Sequence, residues 1–106
     1  MTFDEILNKV RTIAQGVDAA GKDFLAVQVN LTGDNGGVFY VELKVGRINV
    51  EPYSYDNRNC AVTISPADFN KLIDGKLDPV FAFTTGKLKV DGDIGKALEF
   101  SKLIKK

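Results

Sequence analysis

The chain has 106 residues, 44% of them hydrophobic and 26% charged, which suits one folded domain and argues against disorder or a membrane protein. Fourteen Lys and Arg balance fourteen Asp and Glu, so there is no basic excess for phosphate neutralisation and nucleic acid is not an expected partner. With no His and one Cys, the commonest general base and metal ligand are missing, which disfavours hydrolase triads, zinc sites and disulfide frameworks.

Met1 to Glu5 hold no basic segment and no unbroken apolar run, so they do not read as a signal peptide. Phe3, Ile6, Leu7, Val10, Ile13, Ala14 and Val17 recur at spacings of three and four, which predicts a helix with one apolar face. Thr2 and Glu5 fit a capping box, and Gly16 and Gly21 bracket the expected end. From Leu25 to Leu31 odd positions are apolar and even ones mostly polar, the pattern of a strand. Asn30-Leu31-Thr32 matches a glycosylation acceptor, but nothing directs the chain to secretion. Asp34-Asn35-Gly36-Gly37 favours a hairpin turn, because Asn and Gly tolerate positive φ. Val38 to Val45 predicts a second strand, with Phe39, Val41, Leu43 and Val45 on one face and Tyr40, Glu42 and Lys44 on the other. Gly46 permits a reversal into a third strand, Arg47 to Tyr53, with Ile48 and Val50 inward. Pro52 lacks an N–H and suits the end of an edge strand.

The second half alternates strand and helix. Cys60, Val62 and Ile64 share one face of a fourth strand. Ser65-Pro66-Ala67-Asp68 opens a helix with the apolar stripe Phe69, Leu72 and Ile73, ended by Gly75. A short helix is expected from Pro79 to Thr85, stopped by Gly86, then a fifth strand from Lys87 to Asp91. Asp93 caps a last helix whose buried side should carry Ile94, Ala97, Leu98, Ser101 and Ile104. Each strand has one polar face, the mark of a sheet covered by helices on one side and wet on the other. The expected fold is α+β: a five-stranded, mostly antiparallel sheet with helices on one face, in a single domain over residues 1–106. No stretch approaches the ~18 apolar residues of a spanning helix, so a cytoplasmic location is expected.

Residues 75–93 are worded more specifically. Gly75-Lys76-Leu77-Asp78-Pro79, then Ala82-Phe83, then Gly86-Lys87-Leu88-Lys89-Val90-Asp91-Gly92-Asp93 resemble the signature of the sterol carrier protein type 2 domain family. Val62-Thr63-Ile64-Ser65, Asp68-Phe69 and Val41-Glu42-Leu43-Lys44 resemble it too. The similarity is strong over residues 60–104 and loose before them, and the order of elements fits throughout. The resemblance implies helices over one face of the sheet and, between the layers, a hydrophobic tunnel for fatty acid, fatty acyl-coenzyme A, sterol-like molecules or phospholipid. It implies no catalytic residue, no cofactor and no metal. Animal members usually end in a peroxisomal tripeptide. Here Ser101-Lys102-Leu103 is followed by Ile104-Lys105-Lys106, which points to a prokaryotic or cytosolic relative.

On this resemblance the tunnel walls come from the inward faces. The sheet supplies Val41, Leu43, Ile48, Val50, Val62, Ile64, Leu88 and Val90; the helices supply Phe69, Leu72, Phe81, Phe83 and Leu98, with Phe24 near one entrance. Ordinary core packing draws on the same faces. Lys22 stands beside that entrance, where a cation can meet a lipid carboxylate; a solvated loop lysine is the alternative. An empty apolar cavity costs ~24 cal/mol per Å³, so even ~300 Å³ costs ~7 kcal/mol of a domain's ~5–15 kcal/mol. A site of that kind must hold ligand, collapse or admit water.

Other motifs read as structure. Gly92-Asp93-Ile94-Gly95 has the spacing of an RNA-binding loop but follows a strand, and Asp93 would repel phosphate. Asp91, Asp93 and Gly95 begin a calcium-loop pattern whose twelfth position is Lys102 in place of Glu. Cys60 faces inward as a structural thiol, with no His to activate it. Residues 87–106 hold six Lys and three acidic residues, and Lys102, Lys105 and Lys106 are candidates for touching an anionic membrane. The expected function is non-enzymatic intracellular lipid binding and transfer. The alternative is an accessory module of a lipid-metabolising system with a filled core. Expected partners are a lipid ligand and transient contact with a membrane surface or a lipid-metabolising enzyme, with the chain itself a monomer.

Overall fold

Thr2 starts the first helix as its spacing from Glu5 predicts. The Glu5 N–H donates to Thr2 Oγ1 at 3.3 Å and the Thr2 N–H donates to Glu5 Oε1 at 3.0 Å, so two end donors are satisfied reciprocally. The computed structural model describes residues 2–105. Its elements in chain order are α1 (Phe3–Gln15), β1 (Leu25–Leu31), β2 (Gly37–Lys44), β3 (Arg47–Glu51), β4 (Cys60–Ile64), α2 (Pro66–Ile73), α3 (Pro79–Thr84), β5 (Lys89–Gly92) and α4 (Ile94–Leu103). Ser65, Asp78 and Asp93 cap α2, α3 and α4, each accepting a backbone N–H from three residues on. Pro66 and Pro79 occupy first-turn positions where the missing N–H is no loss.

The strands form one sheet in the order β3-β2-β1-β4-β5. The β1–β4 pair is parallel and the others are antiparallel. Register turns each strand's alternation into continuous apolar rows. Leu25, Leu43 and Ile48 lie side by side, as do Cys60, Val27, Val41 and Val50, and then Phe39, Val29, Val62 and Val90. Over these rows α1 lays Ile6, Leu7 and Val10, α2 lays Phe69 and Ile73, and α4 lays Ala97 and Phe100, all buried. Phe39 is the centre of an aromatic chain, edge-on to Phe3 at 6.2 Å and to Phe69 at 5.9 Å. A Cβ at Gly37 would stand 2.6 Å from the Phe3 ring, so a larger residue there would have to push that ring off β2.

Several expectations change. β2 stops at Lys44, and Val45 leaves the inward face for a two-residue turn with φ of 50°, 89% exposed. β3 ends at Glu51, before Pro52, and β5 begins at Lys89, with Leu88 buried just ahead of it. On α4 the buried stripe is Ala97, Phe100, Ser101 and Ile104; Ile94 is exposed and Leu98 half-buried. Rotating the helix this way gives its bulkiest ring, Phe100, the interior position. On α3 the buried residue is Ala82, and Phe81 and Phe83 point outward instead of joining Phe69. The small Ala82 lets a short helix sit close, while Leu77 and Leu88 on either side fill the space beneath it. The outer sheet face is also drier than its polar residues suggest. The Tyr55 N–H donates to Gln28 Oε1 at 3.0 Å, its hydroxyl donates to Glu42, and its ring meets Tyr40 at 5.0 Å. The segment after β3 thereby folds back over the centre of the sheet, and Ala26 and Gln28 are buried.

Candidate ligand site

The middle of the layered core is filled by side chains. Phe39, Phe69, Phe100, Ile6 and Ile73 are among the largest fully buried groups. Two adjoining clefts between helices and sheet lie at one end, around the segment that follows α1. One cleft of about 420 Å³ separates α1 from β3, lined by Arg11, Ala14, Val17, Ala19, Gly46, Ile48 and Val50 among others. A second, of about 410 Å³, is bounded by Val17, Asp18, Lys22, Leu25, Leu43, Glu99, Lys102 and Leu103. Val17 is half-buried and lines both, so the two clefts adjoin at this residue. The floor is the end row of the sheet, where register sets Leu25 beside Leu43 and Leu43 beside Ile48.

Each cleft has a rim that carries charges of both signs, Arg11 and Glu51 at the first, Lys22 and Lys102 with Asp18 and Glu99 at the second. At the first, Arg11 Nε donates to the Val50 carbonyl at 3.1 Å and the guanidinium lies 3.8 Å from Glu51. At the second, Glu99 is paired with Lys96 at 3.4 Å, whereas Lys22 and Lys102 take part in no ion pair among the described residues. Asp18 lines the same cleft, so an amphipathic anion would have to meet the two ammonium groups on the side away from that carboxylate.

The structure distributes the sequence candidates widely. Leu43, Ile48, Val50 and Lys22 line the clefts. Val41, Val62, Ile64, Phe69, Leu72 and Leu88 are in the packed core, and Val90 and Leu98 are half-buried. Phe24, Phe81 and Phe83 are exposed and line neither cleft. Sequence reasoning passed over Ala19, Leu103 and Val17, the residue common to both clefts. One signal was present: Val17 stays in phase with the α1 stripe although the helix ends at Gln15. Of the membrane-contact candidates, Lys102 lines the second cleft, Lys105 is exposed and Lys106 falls outside the described residues.

Cys60 is buried, and burial, with Asp93 adding to it and Arg58 opposing, pushes its thiol up to about 11. It is protonated at neutral pH and a poor nucleophile. Among the described residues no helix is long and apolar enough to cross a membrane.

Comparison with known proteins settles the relationship, because the SCP-2 sterol transfer family profile matches residues 7–105. The chain belongs to the SCP-2 sterol transfer family. That match includes the N-terminal half, where motifs alone were loose, and it places the chain among domains associated with lipid and sterol binding and transfer. Sterol carrier protein 2 of Homo sapiens is 35% identical over 104 residues, covering 97% of this chain and 19% of the relative. Hydroxysteroid dehydrogenase-like protein 2 of Bos taurus is 36% identical over 80 residues, covering 73% of this chain and 19% of the relative. The chain thus spans about a fifth of the length of these relatives. The same fold is found in palmitated sterol carrier protein 2 like 2 of Aedes aegypti, with a TM-score of 0.74, 20% identity, and coverage of 98% of this chain and 95% of that one.

Proposed function

We propose that this domain binds a single-tailed anionic lipid, a fatty acid or fatty acyl thioester, and passes it on without chemical change. The tail lies against the apolar end row on either side of Val17, and the headgroup meets Lys22 and Lys102. The observation that carries this reading is the pair of clefts that share Val17, with Leu25, Leu43, Ile48 and Val50 in their walls and, at the second, Lys22 and Lys102 outside any ion pair among the described residues. Each volume falls within the ~300–1,000 Å³ of ordinary ligand sites.

Energetics favour clefts of this form over a standing tunnel. A closed, empty apolar void of 410 Å³ would cost about 10 kcal/mol, most of a small domain's stability. Space open to water at the end of the core avoids that cost, and an entering tail displaces Val17 to join the two clefts. The segment that carries Val17 runs between Gly16 and Gly21, two residues with no Cβ to restrict φ and ψ. The palmitated fold neighbour supports an acyl ligand.

Native mass spectrometry of the chain as purified, followed by lipid extraction, tests the reading. One acyl lipid per chain is expected, released by denaturation. A second reading, an accessory module that carries nothing, is favoured by the filled centre of the core. Ligand-free protein whose melting temperature is unmoved by fatty acids and acyl-coenzyme A would select it.

A further inference from the structure

The surface of α3 is at odds with its position on the outside of the molecule. Three large apolar side chains, Val80, Phe81 and Phe83, are 55%, 56% and 39% exposed within one six-residue helix. At 3.6 residues per turn, Val80 and Phe83 share a side and Phe81 lies beside them, while Ala82 alone faces the core. No charged residue occurs from Pro79 to Gly86. Even the hydroxyls are turned inward on the helix: Thr84 Oγ1 donates to the Val80 carbonyl at 2.8 Å and Thr85 Oγ1 to the Phe81 carbonyl at 2.9 Å. An apolar surface helix of this kind marks an interaction site.

Charge identifies the partner. Lys76, Lys102 and Lys105 line a cleft with Pro79 at the start of α3. Lys87 and Lys89 line another, just past its end. None of the five is in an ion pair among the described residues. The acidic groups lining these two clefts are Asp78, which caps α3, and Asp68. A second copy docking through the same face would set these lysines against their own counterparts, which Coulomb repulsion opposes. A plane of negative charge with hydrocarbon beneath satisfies both the lysines and the exposed rings.

We propose that α3 is a membrane-docking element, which inserts Val80, Phe81 and Phe83 into the interface of an anionic bilayer while the flanking lysines rest on its headgroups. This does not depend on the identity of any carried lipid, or on carriage at all.

The test uses the full chain with vesicles of phosphatidylcholine alone and of phosphatidylcholine mixed with phosphatidylserine. The chain contains no Trp, so Phe81→Trp is a single-site reporter. Its emission should shift to the blue with phosphatidylserine vesicles and stay unchanged with neutral ones, and added salt should weaken the effect. In sedimentation, Val80→Gln with Phe81→Ser should weaken binding about tenfold. Lys87→Gln with Lys89→Gln should cost about fivefold for each lysine. All these side chains are exposed, and unchanged melting curves will show that the variants fold. Equal binding to neutral vesicles, no binding to anionic ones, or anionic binding that survives both double variants would overturn the proposal. So would self-association abolished by Phe81→Ser in the absence of vesicle binding, which would make the occupant a second copy.

Discussion

The turn between β2 and β3 gives a stability prediction that rests on backbone geometry alone. Lys44 pairs with Arg47, so Val45 and Gly46 are the two central residues of a hairpin loop. Their φ values are 50° and 74°, the signature of a type I′ turn, which is normally made by Asn-Gly. Gly46 fits; Val45 does not. A β-branched residue in the left-handed region costs about 1–2 kcal/mol. Its side chain is 89% exposed, so burial returns almost none of this. Val45→Asn relieves the strain and sacrifices no packed contact. It should stabilise the domain by about 1 kcal/mol and raise Tm by about 4 °C. Val45→Ala removes the branching but keeps a Cβ in the same region, and should gain less. Urea unfolding at matched m-values measures both. A Val45→Asn variant no more stable than the parent would refute the strain argument, and one less stable would mean that Val45 makes a contact the geometry does not reveal.

Other consequences concern the candidate site and the core. Lys22→Ala combined with Lys102→Ala should weaken fatty-acid binding about tenfold and erase any preference for the acid over its methyl ester, read by calorimetry. Retention of the preference would move the headgroup elsewhere. Phe100→Ala should destabilise by about 3–5 kcal/mol in chemical denaturation, because a buried ring is lost from the centre of the core. A loss below about 1 kcal/mol would mean that the neighbouring side chains collapse into the gap. Cys60 imposes a pH dependence. Its thiol is protonated up to about 11 in the folded state, against 9.0 in an unperturbed chain. Between those values the unfolded chain releases a proton that the native one keeps, so stability falls as pH rises through this window, by about 1–3 kcal/mol in total. Cys60→Ala should lack that component, and an identical alkaline slope in the variant would exclude the thiol as its source.

Local chemistry explains why so much of the fold could be read from the chain. Thr2 with Glu5, Ser65 with Pro66, and Asp93 are capping signals that act within three residues, and each starts a helix where expected. Alternation located the strands because one face of every strand meets the helices, as the row Phe39, Val29, Val62 and Val90 shows. The misplacements arise where local pattern underdetermines orientation. Six residues of α3 are too few to define a face, and the deciding residue, Ala82, is inconspicuous among two Phe and a Val. On α4 both Leu98 and Phe100 are apolar, and only the shape of the core selects the ring. The Tyr55 cover over Gln28 is a contact 27 residues apart with no periodic signature. The clefts are less legible still: α1, the segment after it, three strand ends and α4 make their walls, and no one of these segments encodes the gap.

Lipid carriage at this site requires a tail lying against the end row of the sheet beside Val17. Methyl NMR of the isotope-labelled chain, titrated with a fatty acid, observes that contact directly. Resonances of Val17, Leu25, Leu43, Ile48 and Leu103 should move together and saturate at one equivalent, while buried Ile73, the last residue of α2 and part of neither cleft, holds still. Methyls of the end row that stay fixed through saturation, or shifts centred elsewhere in the molecule, would contradict it.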